Sequence, residues 1–212
     1  MKLSELKQRT GGLSNPSKMP CYSYGIPARE CKTGSKHAKI PGTICFFCYA
    51  SKNFYAMPNV DAAMTKRHET LDRDDWVESM PELIRKREKT GYFRWHDSGD
   101  IQSLDHLKKI AEIARRLPDI QFWLPTRELS IYSEYLRTEE TPENLHIRVS
   151  AFKVDFPGPK KLGGKPVLAS TVHTHGKEPE GHICLAEKQD NKCGSCRACW
   201  DPSIQSVSYL IH

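Results

Sequence analysis

Hydrophobic and polar positions along this chain follow two alternating periods from about residue 58 onward. Residues 58–71 and 74–89 read as helices. In the second, Trp76, Met80, Leu83 and Ile84 recur at helical spacing with charges between them, and Asp74 or Asp75 suits the first turn. Residues 91–95 then read as a strand, running into the polar stretch His96-Asp97-Ser98-Gly99-Asp100. Ser103 is a fitting N-cap for a helix whose apolar stripe is Leu104, Leu107, Ile110, Ile113 and Leu117, stopped by Pro118. A strand over 120–124, a short helix over 130–138, a strand over 145–149 and a last strand over 166–172 complete the pattern. Residues 1–20 read as irregular, with Gly11-Gly12 and two prolines, and residues 21–49 as a loop whose backbone is set by ligands rather than by a core.

Strands joined by helices predict an α/β fold with a parallel sheet, right-handed crossovers and the helices outside. Ligands of such sheets bind at the carboxyl ends of the strands. Those ends are polar here: His96 to Asp100, Thr126 to Glu128, and Ser150. Asp97, Ser98, Gly99, Asp100, Arg127 and Ser150 are therefore candidate binding residues. A cap or turn role for the two aspartates and a surface ion pair for Arg127 are the plainer alternatives.

The eight cysteines fall into two sets, Cys21, Cys31, Cys45 and Cys48, then Cys184, Cys193, Cys196 and Cys199. The N-terminus lacks an apolar signal core and no apolar run is long enough to span a bilayer, so the expected compartment is the cytoplasm. Thiols stay reduced there, and the cysteines point to metal rather than to disulfides. Cys193-x-x-Cys196-x-x-Cys199 matches the loops that hold [4Fe–4S] clusters, and zinc bound by four thiolates is the alternative. His173, His175 and His182 lie just before this run and read as surface or loop histidines, with substitution for a metal ligand the alternative. The division expected is a larger unit over 1–175, with the cysteine loop at 21–50, and a smaller cysteine module over 176–212.

A net charge of +6 and a pI near 8.8 permit a phosphate-bearing partner without demanding one. The concentrations at Arg85–Lys89 and Lys160–Lys165 read as a solvated face and a loop. Aromatics such as Phe46, Phe47 and Tyr49 leave a metal-stapled nucleic-acid binder open as a second function, with a two-cluster redox carrier as a third.

Cys45-Phe46-Phe47-Cys48-Tyr49-Ala50 resembles the cluster-binding end of radical SAM enzymes. Over residues 18–200 the chain also resembles the phage gene product 88 family. That likeness rests on Arg94-Trp95-His96-Asp97-Ser98-Gly99-Asp100, on Phe122-Trp123-Leu124-Pro125-Thr126-Arg127-Glu128 and on the closing Cys-Gly-Ser-Cys-Arg-Ala-Cys-Trp. The radical SAM resemblance implies an incomplete α/β barrel in which Cys31, Cys45 and Cys48 hold three irons of a [4Fe–4S] cluster, leaving the fourth for S-adenosylmethionine. It places Asp97-Ser98-Gly99-Asp100 against the methionine amino group and Ser150 against the methionyl or ribose part. It makes the second cysteine set an auxiliary cluster, with an electron-donor protein as a partner. Two departures stand out: thirteen residues separate Cys31 from Cys45, wider than the usual spacing, and no Gly-Gly-Glu is present. Cys21 is open either as a fourth ligand, which would close the cluster, or as a buried free thiol.

Overall fold

A computed structural model describes residues 1–211. Its centre is a seven-stranded sheet in which every neighbouring pair is parallel. The strands are β1 (Ser23–Tyr24), β2 (Tyr92–Trp95), β3 (Gln121–Thr126), β4 (Leu145–Ser150), β7 (Leu168–His173), β9 (Ser206–Leu210) and β8 (His182–Ile183), in that spatial order. A small antiparallel pair, β5 (Lys161–Leu162) with β6 (Lys165–Pro166), stands apart. The helices are α1 (Leu3–Thr10), α2 (Lys32–His37), α3 (Pro58–Thr70), α4 (Trp76–Arg87), α5 (Leu104–Arg116) and α6 (Leu129–Thr138).

Strands β1 to β4 lie side by side in chain order, so right-handed crossovers put the connecting helices on one face of the sheet. That face carries Phe93, Trp95, Phe122, Leu124, Leu145, Ile147 and Val149, alternate positions of three strands. They bury against Leu83 and Ile84 of α4, Leu107, Ile110 and Ile113 of α5, and Tyr132 and Tyr135 of α6. The expected N-cap is present, with Ser103 Oγ accepting from the His106 amide at 3.0 Å.

The opposite face is polar and aromatic, with Arg94, Trp123 and Arg148 pointing into it. Residues beyond 184 cover it. Trp200 packs on Trp123 and Tyr92, and its indole N–H donates to the Phe93 carbonyl at 2.8 Å. Arg148 is fully buried and spends all five guanidinium N–H groups on five carbonyls, those of Ala169, Ala198, Cys199, Asp201 and Ile204. The chain then returns as β9, which inserts between β7 and β8.

Three expectations need correction. Residues 3–10 are helical rather than irregular: Leu3 and Leu6 pack into the core beside α4, and Gly11 ends the helix in the left-handed region at φ 76°. Two apolar residues in eight are too few for a periodicity test to register. Residues 21–49 are not all loop, because β1 pairs with β2 and α2 follows Cys31. The sheet also does not end with the fourth long strand. β8 and β9 join it, short and polar on one side, and their pairing is made by partners distant in sequence.

Candidate functional site

The carboxyl edge of β1 to β4 gathers the polar residues that the sequence places at strand ends. Asp100 ties β2 to β3: Oδ1 accepts from Ile101 N at 2.8 Å and Thr126 Oγ1 at 2.7 Å, and Oδ2 from Arg127 N at 2.7 Å. Burial pushes this carboxyl up to about 7 despite those three donors. Both of its oxygens are thus engaged within the protein, as a brace. Asp97 differs. Its Oδ2 accepts from Tyr55 OH at 3.1 Å and its main-chain carbonyl from Tyr49 OH at 2.7 Å, while Oδ1 is buried with no hydrogen-bond partner. Ser98 Oγ is likewise buried and unpartnered. Gly99 has φ 78° and lies so close to Ile26 that a Cβ would collide with its side chain and carbonyl.

Three thiols meet above this edge. Cys31 immediately precedes α2; Cys45 lies within a 3-10 turn, Ile44–Phe47, that Thr43 caps by accepting from Phe46 N, and Cys48 directly follows it. The Cys31 and Cys45 sulfurs lie 3.5 and 3.8 Å from the place a Cβ on Gly34 would occupy, and that Cβ would stand 2.9 Å from Cys31 Cβ. Glycine at 34 therefore keeps the space between the two thiols clear. Burial pushes all three thiols up, Cys45 to about 11, so each stays protonated unless a cation takes the proton's place.

Two consecutive residues after β3 hold both arms of this loop. Glu128 accepts from Thr33 N at 2.8 Å and Thr33 Oγ1 at 2.7 Å, fixing the start of α2. Arg127 donates to the carbonyls of Ser150 and Ala151 and to His37 Nδ1, and its guanidinium lies beside Cys45. Ser150 joins its hydroxyl to that of Ser170 at 3.2 Å. Glu128 was legible only as a polar strand end; its grip on Thr33 spans 95 positions and leaves no local signal. The loops around the thiols expose Phe46, Phe54, Met57 and Phe152, an apolar rim at the mouth of the site.

Cys21 does not belong to this group. It lies before β1, at the opposite end of the strand from Cys31, where it is buried with Trp123, Trp200 and Cys199. Cys193 N donates to the Lys18 carbonyl at 2.9 Å, which draws that loop against the segment leading to Cys21. The second group therefore lies on the sheet face covered by the C-terminal segment. Cys199 Sγ is 3.2 Å from Tyr209 OH, Cys196 Sγ is 3.4 Å from His182 Nε2, and Cys193 and Cys184 are electrostatic neighbours. Burial pushes Cys21 and Cys199 up to about 12. His173 points elsewhere and bonds Ser208 Oγ, while His175 is exposed. No disulfide joins any of the eight cysteines.

Among the described residues, no three His, Cys, Asp or Glu side chains close to the spacing that a single metal ion demands. A cavity of about 690 Å³ lies on the far side of β7 and β9, bounded by residues 155–160 and 177–182, and none of the thiols lines it. No helix is long and apolar enough to cross a membrane among the described residues. No curated protein and no solved structure matches this sequence. The profile of one family, described as gene product 88, matches residues 2–202, so the chain belongs to the gene product 88 family.

Proposed function

We propose that this chain is an iron–sulfur protein that uses the outer triad, Cys31, Cys45 and Cys48, to hold a [4Fe–4S] cluster beside S-adenosylmethionine, and the inner cysteines to hold a second cluster. The observation that carries this reading is that three thiols, not four, meet at the carboxyl edge, because Cys21 sits with the other group. Three thiolates leave one iron of such a cluster open. Cys31, Cys45 and Cys48 would hold the cluster, and the chemistry it would supply there is one-electron reduction of a bound sulfonium.

The residues fit a cluster better than one ion. A single zinc needs its thiolates within about 4 Å of one another at Zn–S of about 2.3 Å, and the outer thiols form no such group. A polynuclear cluster spaces its ligands more widely, and Gly34 keeps the room between Cys31 and Cys45 open. Joined to the Cys48 arm through Tyr49, the turn carries the unpartnered Asp97 Oδ1 and Ser98 Oγ, an acceptor and a hydroxyl that would suit the methionine ammonium. Glu128 and Arg127 hold the two arms of the loop in place. The apolar rim would shield the site from water once a substrate closes it.

The test is anoxic purification with iron and sulfide analysis. About eight of each per chain and broad absorption near about 400 nm are expected for two thiolate-bound [4Fe–4S] clusters. S-adenosylmethionine should then bind, and reduction should release methionine and 5′-deoxyadenosine. Colourless protein with about two zincs per chain would overturn the reading and leave a non-catalytic, metal-stapled module in its place.

A further inference from the structure

Three arginines, Arg67, Arg127 and Arg148, are buried and a fourth, Arg94, is half-buried, all without a salt bridge to any carboxylate among the described residues. A buried cation left without a counter-charge is costly. Arg148 is satisfied by five carbonyls, and Arg127 by two carbonyls and His37 with its Nε left without a hydrogen-bond partner. Arg94 is not satisfied in this way. Its Nε is buried with no partner, one terminal nitrogen meets only the Met19 sulfur at 3.4 Å, and the guanidinium lies over the Trp123 ring at 4.3 Å.

Arg94 also stands between the two thiol groups. Its Nη2 donates to Tyr49 OH at 2.9 Å, and Tyr49 directly follows Cys48 of the outer triad. On the other side, Cys21, Cys193 and Cys199 all lie within its electrostatic reach. Trp123, on which it rests, stacks against Tyr209, whose hydroxyl touches the Cys199 sulfur. Thiolates become fixed negative charges once metal-bound; Arg94 faces three of them, beside Arg148 near Cys199, Arg197 near Cys21 and Lys18 near Cys193, and the Asp97 carboxylate lies within its own electrostatic reach.

We propose that Arg94 is a positioning residue that couples the two centres, held in place by the negative charge of the loaded inner centre and, through Tyr49, holding the Cys48 arm of the outer one. This rests on the reading that both thiol groups carry metal. Loading the inner group then pre-organises the outer triad. Tyr49 adds rigidity to the link, since its hydroxyl also donates to the Asp97 carbonyl.

The experiment compares five full-length proteins after anoxic reconstitution with iron and sulfide: the parent chain, the double variant Cys193→Ser with Cys196→Ser, Arg94→Met, Arg94→Lys, and Tyr49→Phe. Iron and sulfide per chain are counted, and release of iron to a chelator is followed in time, with far-UV circular dichroism to show that each is folded. The double variant should lose the inner iron and release the outer iron about ten-fold faster, the scale seen when a group that orients metal ligands is removed. Arg94→Met and Tyr49→Phe should accelerate outer release similarly with the inner cysteines untouched, and Arg94→Lys, which keeps the charge, should recover part of the difference. Tyr49→Phe keeps the buried arginine and so remains informative if Arg94→Met does not fold. Outer release at the parent rate in Tyr49→Phe and in the double variant would refute the coupling while leaving the iron–sulfur reading intact. A parent chain that takes up no iron would overturn both.

Discussion

Replacing Arg148 by methionine should unfasten the C-terminal segment from the sheet. The guanidinium donates five hydrogen bonds at 2.7 to 3.3 Å, four of them to carbonyls between Ala198 and Ile204 and one to Ala169 of β7. A buried carbonyl stripped of its donor costs about 1–3 kcal/mol. Against this stands the desolvation of the guanidinium, which methionine recovers and which for some buried ions is the larger amount. If two or three of the five carbonyls stay dry, the net loss is about 3–4 kcal/mol, or roughly 6–16 °C in Tm for a chain of this size. Arg148→Lys, with three donors on one nitrogen, should fall between the two. The assay is thermal unfolding by circular dichroism beside limited proteolysis, in which the methionine variant should be cut first between about 176 and 200. A methionine variant that melts within about 2 °C of the parent and resists the protease equally would refute the reasoning, because guanidinium desolvation would then outweigh all five bonds.

Other changes probe the carboxyl edge. Gly34→Ala gains up to about 1 kcal/mol of helix propensity but puts a methyl 2.9 Å from Cys31 Cβ; Tm should move little while iron retention drops about ten-fold. Glu128→Ala removes both acceptors for Thr33, and iron should leave the outer triad faster with the inner iron unchanged; equal loss from both groups would mean the carboxylate supports the whole fold instead. Burial lowers His96 to about 3, and burial with the nearby His96 lowers His106 as well. Their unfolded-state values lie near 6.5, so stability is fully present above that pH and is lost as pH falls from about 6.5 toward 3, at about 1.4 kcal/mol per pH unit for each ring. His96→Asn tolerates the backbone at φ 52° and should flatten part of that slope in urea titrations between pH 7 and 5; an unchanged slope would assign the acid sensitivity elsewhere.

The helical and strand segments from 58 to 150 were legible because their apolar residues repeat with the periods of the elements they form. Leu104, Leu107, Ile110 and Ile113 repeat along one helix face, and alternate residues of Phe93–Trp95 and Phe122–Leu124 face the same core. The same pattern implied the polar strand ends. The grouping of the cysteines was only half legible. Spacing puts Cys45 beside Cys48 and Cys193 beside Cys196, because three residues of chain hold them together whatever the fold. Nothing local says whether Cys21 joins Cys31 or Cys199. That choice is made by β1, which runs between Cys21 and Cys31 and sends them to opposite ends of the sheet.

The sequence by itself therefore determined the helix and strand repeats, the polar strand ends and the two short cysteine motifs, all set by neighbours within a few residues. Only the tertiary structure decided which thiols share a site, that Glu128 holds Thr33, that Arg148 fastens the last segment and that Arg94 stands between the two groups. The bonds made by Glu128, Arg148 and Arg94 to Thr33, Cys199 and Tyr49 join residues 95, 51 and 45 positions apart, and a contact of that span exists only once the sheet has fixed the order of its strands.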